Sequence, residues 1–213
     1  MAKQIIKKTT EQLYEYDAEL RKTYPVLCGV DEAGRGPLAG DVYAAAVILN
    51  PEIKIDGIND SKKLSEKKRE IIFDKICDSA ISYCIAKASV EEIEKYNILG
   101  ATMLAMQRAV TGLSQEISLT LIDGNRLPEL EMSLRAIVQG DATSASIAAA
   151  SILAKVSRDR ALKEIDKEYP QYGFAKHKGY GTKAHYAAIS EYGISPVHRP
   201  SFLKKLSLKN END

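Results

Sequence analysis

A chain of 213 residues, 45% hydrophobic and 28% charged, is long enough to bury a core without disulfide staples. Its net charge is +1, from 30 Lys and Arg against 29 Asp and Glu. These proportions exclude a disordered chain, a collagen-like repeat and a disulfide mini-protein.

In chain order, residues 10–22 set Leu13, Tyr16 and Leu20 on one side of a helix that Pro25 stops. Residues 26–31 and 42–49 read as strands, joined by the Gly-rich connection 33–40. Ser65 is a good N-cap for a helix ending near Ser79. Residues 81–89 alternate as a third strand, and short sequential strands of this kind usually pair antiparallel. A helix follows over 90–113, broken near Asn97 and Gly100. Residues 118–123 and 135–138 give two more strands. Asp141 then opens a long Ala-rich helix, 142–165, whose small residues let it lie close to a sheet. A last helix covers 183–192. Strands first, then alternating helix and strand, describe an α/β layer fold with a mixed sheet and no internal linker.

Cys28, Cys77 and Cys84 form no metal or redox spacing; buried thiols in a reduced, cytoplasmic setting are expected. Residues 1–21 are studded with charge, without an apolar leader core. The longest apolar run, 42–49, falls far short of the ~20 residues of a membrane helix. His177, His185 and His198 have no mutual metal spacing and read as ordinary surface or core residues. The near-neutral total hides a basic end: from Lys176 to Lys209 there are seven Lys or Arg against one acid, Glu191.

Four acids stand where acids are structurally unwelcome. Asp31 and Glu32 follow the first strand, Asp123 ends another, and Asp141 follows the last. The carboxyl ends of strands are where α/β sheets place ligand sites. Four clustered carboxylates repel one another unless a cation intervenes, and hard oxygen donors suit Mg²⁺ or Mn²⁺. Two such ions can activate water and stabilise the leaving oxygen of a phosphodiester. Taken singly, Asp141 fits a helix N-cap and Asp123 a turn before Gly124. Neighbours on a strand face opposite ways, so a site shared by Asp31 and Glu32 predicts a break or bulge at residues 33–37. The acids alone also fit a two-metal phosphatase acting on small nucleotides. The basic end and Tyr180, flanked by Gly179 and Gly181, point to a polymer: the ring is placed to stack on a base or sugar while Lys178 meets phosphate.

Six blocks carry a resemblance: GVDEAGRGPLAG at 29–40, NDSKKLS at 59–65, NILGATMLAM at 97–106, IDGNRLP at 122–128, GDATSASIAAASILAKVSRDR at 140–160 and YPQYGFAKHKGYGT at 169–182. In that order the chain resembles bacterial ribonuclease HII. The resemblance implies a ribonuclease H-like α/β fold, with a central mixed five-stranded sheet flanked by helices and a helical C-terminal part. It implies a helical extension over 1–24, a catalytic domain over 25–202 and a basic-then-polar tail over 203–213. It further implies a metal-dependent hydrolase cutting the RNA strand of RNA–DNA hybrids, and single ribonucleotides in duplex DNA, to 5′-phosphate and 3′-hydroxyl ends. Such a nuclease serves DNA repair in the cytoplasm, and a monomer is expected. Mapped by motif, Asp31, Glu32, Asp123 and Asp141 would hold two Mn²⁺ or Mg²⁺ ions. Gly34, Arg35 and Gly36 would read the ribose 2′-hydroxyl, Tyr180 would stack on the next deoxyribose, and Lys62 and Lys63 would meet phosphate. Asp41 departs from the family's usual Pro, and its charge is expected close to the acidic cluster.

Overall fold

The computed structural model describes residues 9–59, 61 and 64–203. At its centre five strands are ordered β3-β2-β1-β4-β5. They are β1 (Leu27–Ala33), β2 (Val42–Ile48), β3 (Ser82–Ala88), β4 (Leu119–Asp123) and β5 (Leu134–Ile137). β1, β2 and β3 pair antiparallel, whereas β4 runs parallel to both β1 and β5. Helices α1 (Thr10–Arg21), α2 (Glu66–Ser79) and α4 (Ala145–Glu168) cover one face, and α3 (Val90–Thr111) covers the other. Helices α5 (Phe174–His177) and α6 (Lys183–Tyr192) build the C-terminal part, packed on Leu38 and Leu162.

Local chemistry sets the boundaries. Thr9 and Gln12 cap α1 reciprocally, Ser65 caps α2, and Ser89 with Glu92 caps α3. α3 breaks at Asn97, which takes φ 58 and accepts the N–H groups of Leu99 and Gly100 on its side-chain oxygen. The Ala-rich stretch of α4 lies directly on β1. Gly29 is where it touches: a Cβ there would sit 2.2 Å from the Ser146 carbonyl carbon. A residue that weakens a strand in isolation is thus what lets the helix lie down.

Two expectations need correction. β1 neither breaks nor bulges at the acids; it runs in register through Asp31 and Glu32 to Ala33. Asp141 does not cap the long helix. It lies in a 3₁₀ turn, Gly140–Ala142, and α4 starts at Ala145 with Ser144 as its cap. The short hydroxyl of Ser144 reaches the Ile147 N–H at 3.3 Å, which leaves Asp141 outside the capping geometry.

The cap has a buried support. Asp17 of α1 accepts from the Ser144 hydroxyl (2.6 Å), the Ser146 N–H (2.8 Å) and the Ser146 hydroxyl (2.7 Å). Its side chain is fully buried, and burial holds its carboxyl above the usual range. Asp17→Ala leaves those donors without their acceptor and is expected to cost about 2 kcal/mol or more. Urea denaturation checks this; an unchanged midpoint would show that the cap carries no stability.

Candidate active site

β4 pairs with β1 only as far as Ile122 opposite Val30. Beyond that point β1 projects past its neighbour, carrying Asp31 and Glu32 into the notch. Cys28 and Val30 pack in the core on the α3 side, and Ala33 packs with α4 residues on the other. Alternation therefore starts Asp31 towards α4 and Glu32 towards α3. Oxygens of Asp31, Glu32 and Asp123 all lie within 4.8 Å of one another. Asp141 falls outside this group; its neighbour Gly140 donates its N–H to Asp123 Oδ1 at 2.6 Å.

The cluster is electrostatically loaded. Burial, then the Glu32 and Asp123 carboxylates, push the Asp31 carboxyl well above the usual range. A hydrogen bond from Ser151 and the Glu32 N–H at 2.6 Å oppose this. Ser151 in turn meets the Ser61 hydroxyl at 2.9 Å, joining the acids to the segment that carries Lys62 and Lys63. An all-carboxylate donor set with one member forced towards its neutral form fits a hard divalent cation such as Mg²⁺ or Mn²⁺.

A cleft of about 250 Å³ opens beside the acids, lined by Glu32, Gly34, Arg35, Gly36, Lys155 and Tyr180 among others. Gly34 has φ +100, and a Cβ there would lie 2.1 Å from the Arg158 Nε, so the loop needs glycine twice over. The Tyr180 ring is 47% exposed and passes close to Gly36. Lys155 pairs with Asp159 at 2.7 Å, and burial lowers its pKa. Lys178 does not line the cleft: its ammonium is turned onto the Ala175 carbonyl at 2.7 Å. Lys62 and Lys63 lie outside the described residues. The Asp41 carboxylate is turned away from the cluster, onto Lys87 (2.7 Å) and the Val90 N–H (3.1 Å).

Residues distant in sequence frame this cleft. The buried Arg158 donates to the carbonyls of Ala39, Asp41 and Lys178. The three histidines, unremarkable by spacing, come together: His177 stacks on His185, which in turn meets His198. His185 Nδ1–H donates to the Tyr180 carbonyl at 3.0 Å, so its Nε2 accepts from His198 Nε2–H at 3.1 Å. His198 Nδ1 accepts from the Ser195 N–H and hydroxyl. Burial and the neighbouring ring bring His198 down to about 4, and burial also lowers His185, so this pair is held in its neutral form. Cys28 is buried as expected, its thiol pushed up to about 12, whereas Cys77 and Cys84 are only half-buried on less covered elements.

Residues 28–207 match the family model for ribonuclease HII. The chain belongs to the ribonuclease HII family. It is 55% identical over 196 residues to ribonuclease HII of Vibrio parahaemolyticus, covering 92% of this chain and 93% of that one. It is 57% identical over 195 residues to ribonuclease HII of Coxiella burnetii, covering 91% and 96%. The crystal structure of ribonuclease H2 from Pyrococcus horikoshii OT3 superposes with a TM-score of 0.72 over 88% of this chain and 99% of that one, at 24% identity. The mixed sheet flanked by helices is accordingly a ribonuclease H-like fold. Family membership makes the chain an endoribonuclease of ribonuclease H type, acting on RNA–DNA hybrids. Among the described residues no helix is long and apolar enough to cross a membrane.

Proposed function

We propose that this ribonuclease HII cuts the RNA strand at single ribonucleotides in duplex DNA as well as in longer hybrids, by two-metal-ion hydrolysis. The observation that carries the reading is the placement of three converging carboxylates beside a cleft walled by a glycine loop and an exposed tyrosine. Asp31, Glu32 and Asp123 would hold the cations, with Asp141 joining them as the fourth acid. The bound ions would supply water activation and stabilisation of the leaving 3′-oxygen, giving 5′-phosphate and 3′-hydroxyl ends. No side-chain nucleophile is needed.

The remaining residues choose and orient the substrate. Backbone groups of Gly34, Arg35 and Gly36 would read the 2′-hydroxyl, the group that tells RNA from DNA at a site. The Tyr180 ring would stack on the following deoxyribose, where a 2′-substituent would crowd it. Lys155, beside the same loop, is placed to meet a phosphate as Lys62 and Lys63 do by motif. Ribonucleotide removal from DNA would be the cellular use of this activity.

Assays on a duplex bearing one ribonucleotide, on a long hybrid and on a free nucleotide test the reading, each with divalent ion and with chelator. Both duplexes should be cut, only with the ion present. Tyr180→Ala should lower cleavage at the lone ribonucleotide about tenfold, the worth of a lost stacking contact. Metal-independent turnover, or an unchanged junction rate in that variant, would overturn the corresponding part.

A further inference from the structure

We propose that Arg199 is a positioning residue that turns the Gly34–Gly36 loop into a paired N–H donor site. This rests on the reading that the loop reports the 2′-hydroxyl. Arg199 is fully buried. Its guanidinium donates to the carbonyls of Gly34 (2.8 Å), Arg35 (3.2 Å), Pro37 (2.8 Å) and Gly40 (2.8 and 2.5 Å). Its hydrogen-bond partners are thus all backbone carbonyls of one loop. Burying a cation on such partners is costly, and Arg158, a second buried guanidinium, stands close by.

Peptide geometry supplies the consequence. A trans peptide points its C=O and N–H in opposite directions, and no peptide among the described residues is cis. With the Gly34 and Arg35 carbonyls drawn onto Arg199, the N–H groups of Arg35 and Gly36 face the other way. That way lies the cleft lined by Gly34, Arg35, Gly36, Lys155 and Tyr180. Neither N–H has a backbone acceptor among the described residues. Two successive outward N–H groups form a concavity for an oxygen acceptor. A 2′-oxygen fits it and a deoxyribose does not.

Arg199 is itself fixed. Its N–H bonds the Leu38 carbonyl at 2.8 Å, the Gly40 N–H bonds the Val197 carbonyl at 2.8 Å, and His198 bridges Ala39. Through His198 and His185 the same support reaches the Tyr180 carbonyl. Loop and stacking ring therefore share one scaffold.

The test compares binding of two duplexes, identical except for one 2′-hydroxyl, to the full chain carrying Asp123→Asn so that neither is cut. Arg199→Lys keeps the charge but cannot span four carbonyls. It should reduce the preference for the ribonucleotide duplex about tenfold, with affinity for the all-deoxy duplex little changed. In the otherwise unmodified chain, amide exchange at Arg35 and Gly36 should be fast when free and slowed by the ribonucleotide duplex alone. A chain with Arg199 intact that does not tell the duplexes apart would remove the 2′-hydroxyl reading itself. Discrimination that survives in a folded Arg199→Lys protein would overturn the role of Arg199. So would slow exchange of both amides in the free chain, which decides the matter even where the variant fails to fold.

Discussion

Asp31→Asn is expected to abolish cleavage and yet raise the melting temperature of the metal-free protein. The carboxylate oxygens of Asp31, Glu32 and Asp123 crowd within 4.8 Å, and Asp31 is buried. An amide removes one charge from that crowd and keeps an oxygen to accept the Glu32 N–H. Each kcal/mol of repulsion relieved is worth about 3 °C in a chain of this size. Activity is expected to move the other way: if Asp31 holds a cation as proposed, losing that anionic ligand would forfeit several kcal/mol of charge stabilisation, about a thousandfold in rate. The pH dependence has a fixed sign. A carboxyl raised in the folded state stabilises below the ordinary Asp value and loses that contribution as pH rises through its raised one. The melting gap between variant and wild type should therefore open from about pH 4 upward. Calorimetry in chelator across that range, repeated with Mg²⁺, checks both halves: added ion should stabilise the wild type much more than the variant. A variant that melts lower at neutral pH would show that the charge is not crowded.

Gly29→Ala is expected to be strongly destabilising. Its Cβ would meet the Ser146 carbonyl carbon at 2.2 Å, the Ser146 oxygen at 2.4 Å and the Ile147 nitrogen at 2.5 Å. These are backbone atoms of α4 and cannot swing aside as a side chain can. The helix must lift off β1, at an expected cost of about 3 kcal/mol or more. Lifting it also draws Ser151 from Asp31 and Gly140 from Asp123. Whatever folds should cut slowly, and a denaturation midpoint near wild type would refute the contact.

The sequence carried the element order because caps and periodicities are local. Ser65 announces α2, and alternation over 81–89 announces β3 within one residue at each end. The convergence of Asp31, Glu32 and Asp123 was legible, because each follows an apolar run that has no use for charge, whereas Asp141 stays outside that group. The smooth course of β1 through Asp31 and Glu32 was not legible, since it depends on β4 stopping short beside it. Ser144 outcompetes Asp141 as a cap through Asp17, 127 residues away. The arginines beneath the glycine loop were hidden for the same reason. Arg199 and Gly34 are 165 residues apart, and no periodicity links a guanidinium to the carbonyls it gathers.

The anchoring of α4 by Asp17 bears on where this enzyme can be trimmed. The match to the family model starts at residue 28, after α1 has ended. A fragment cut there would lose the acceptor of three buried donors and bare the core under Leu13 and Tyr14. The folding unit is therefore expected to extend beyond the region that the family model matches, and a fragment that keeps α1 should refold where one starting at residue 28 does not.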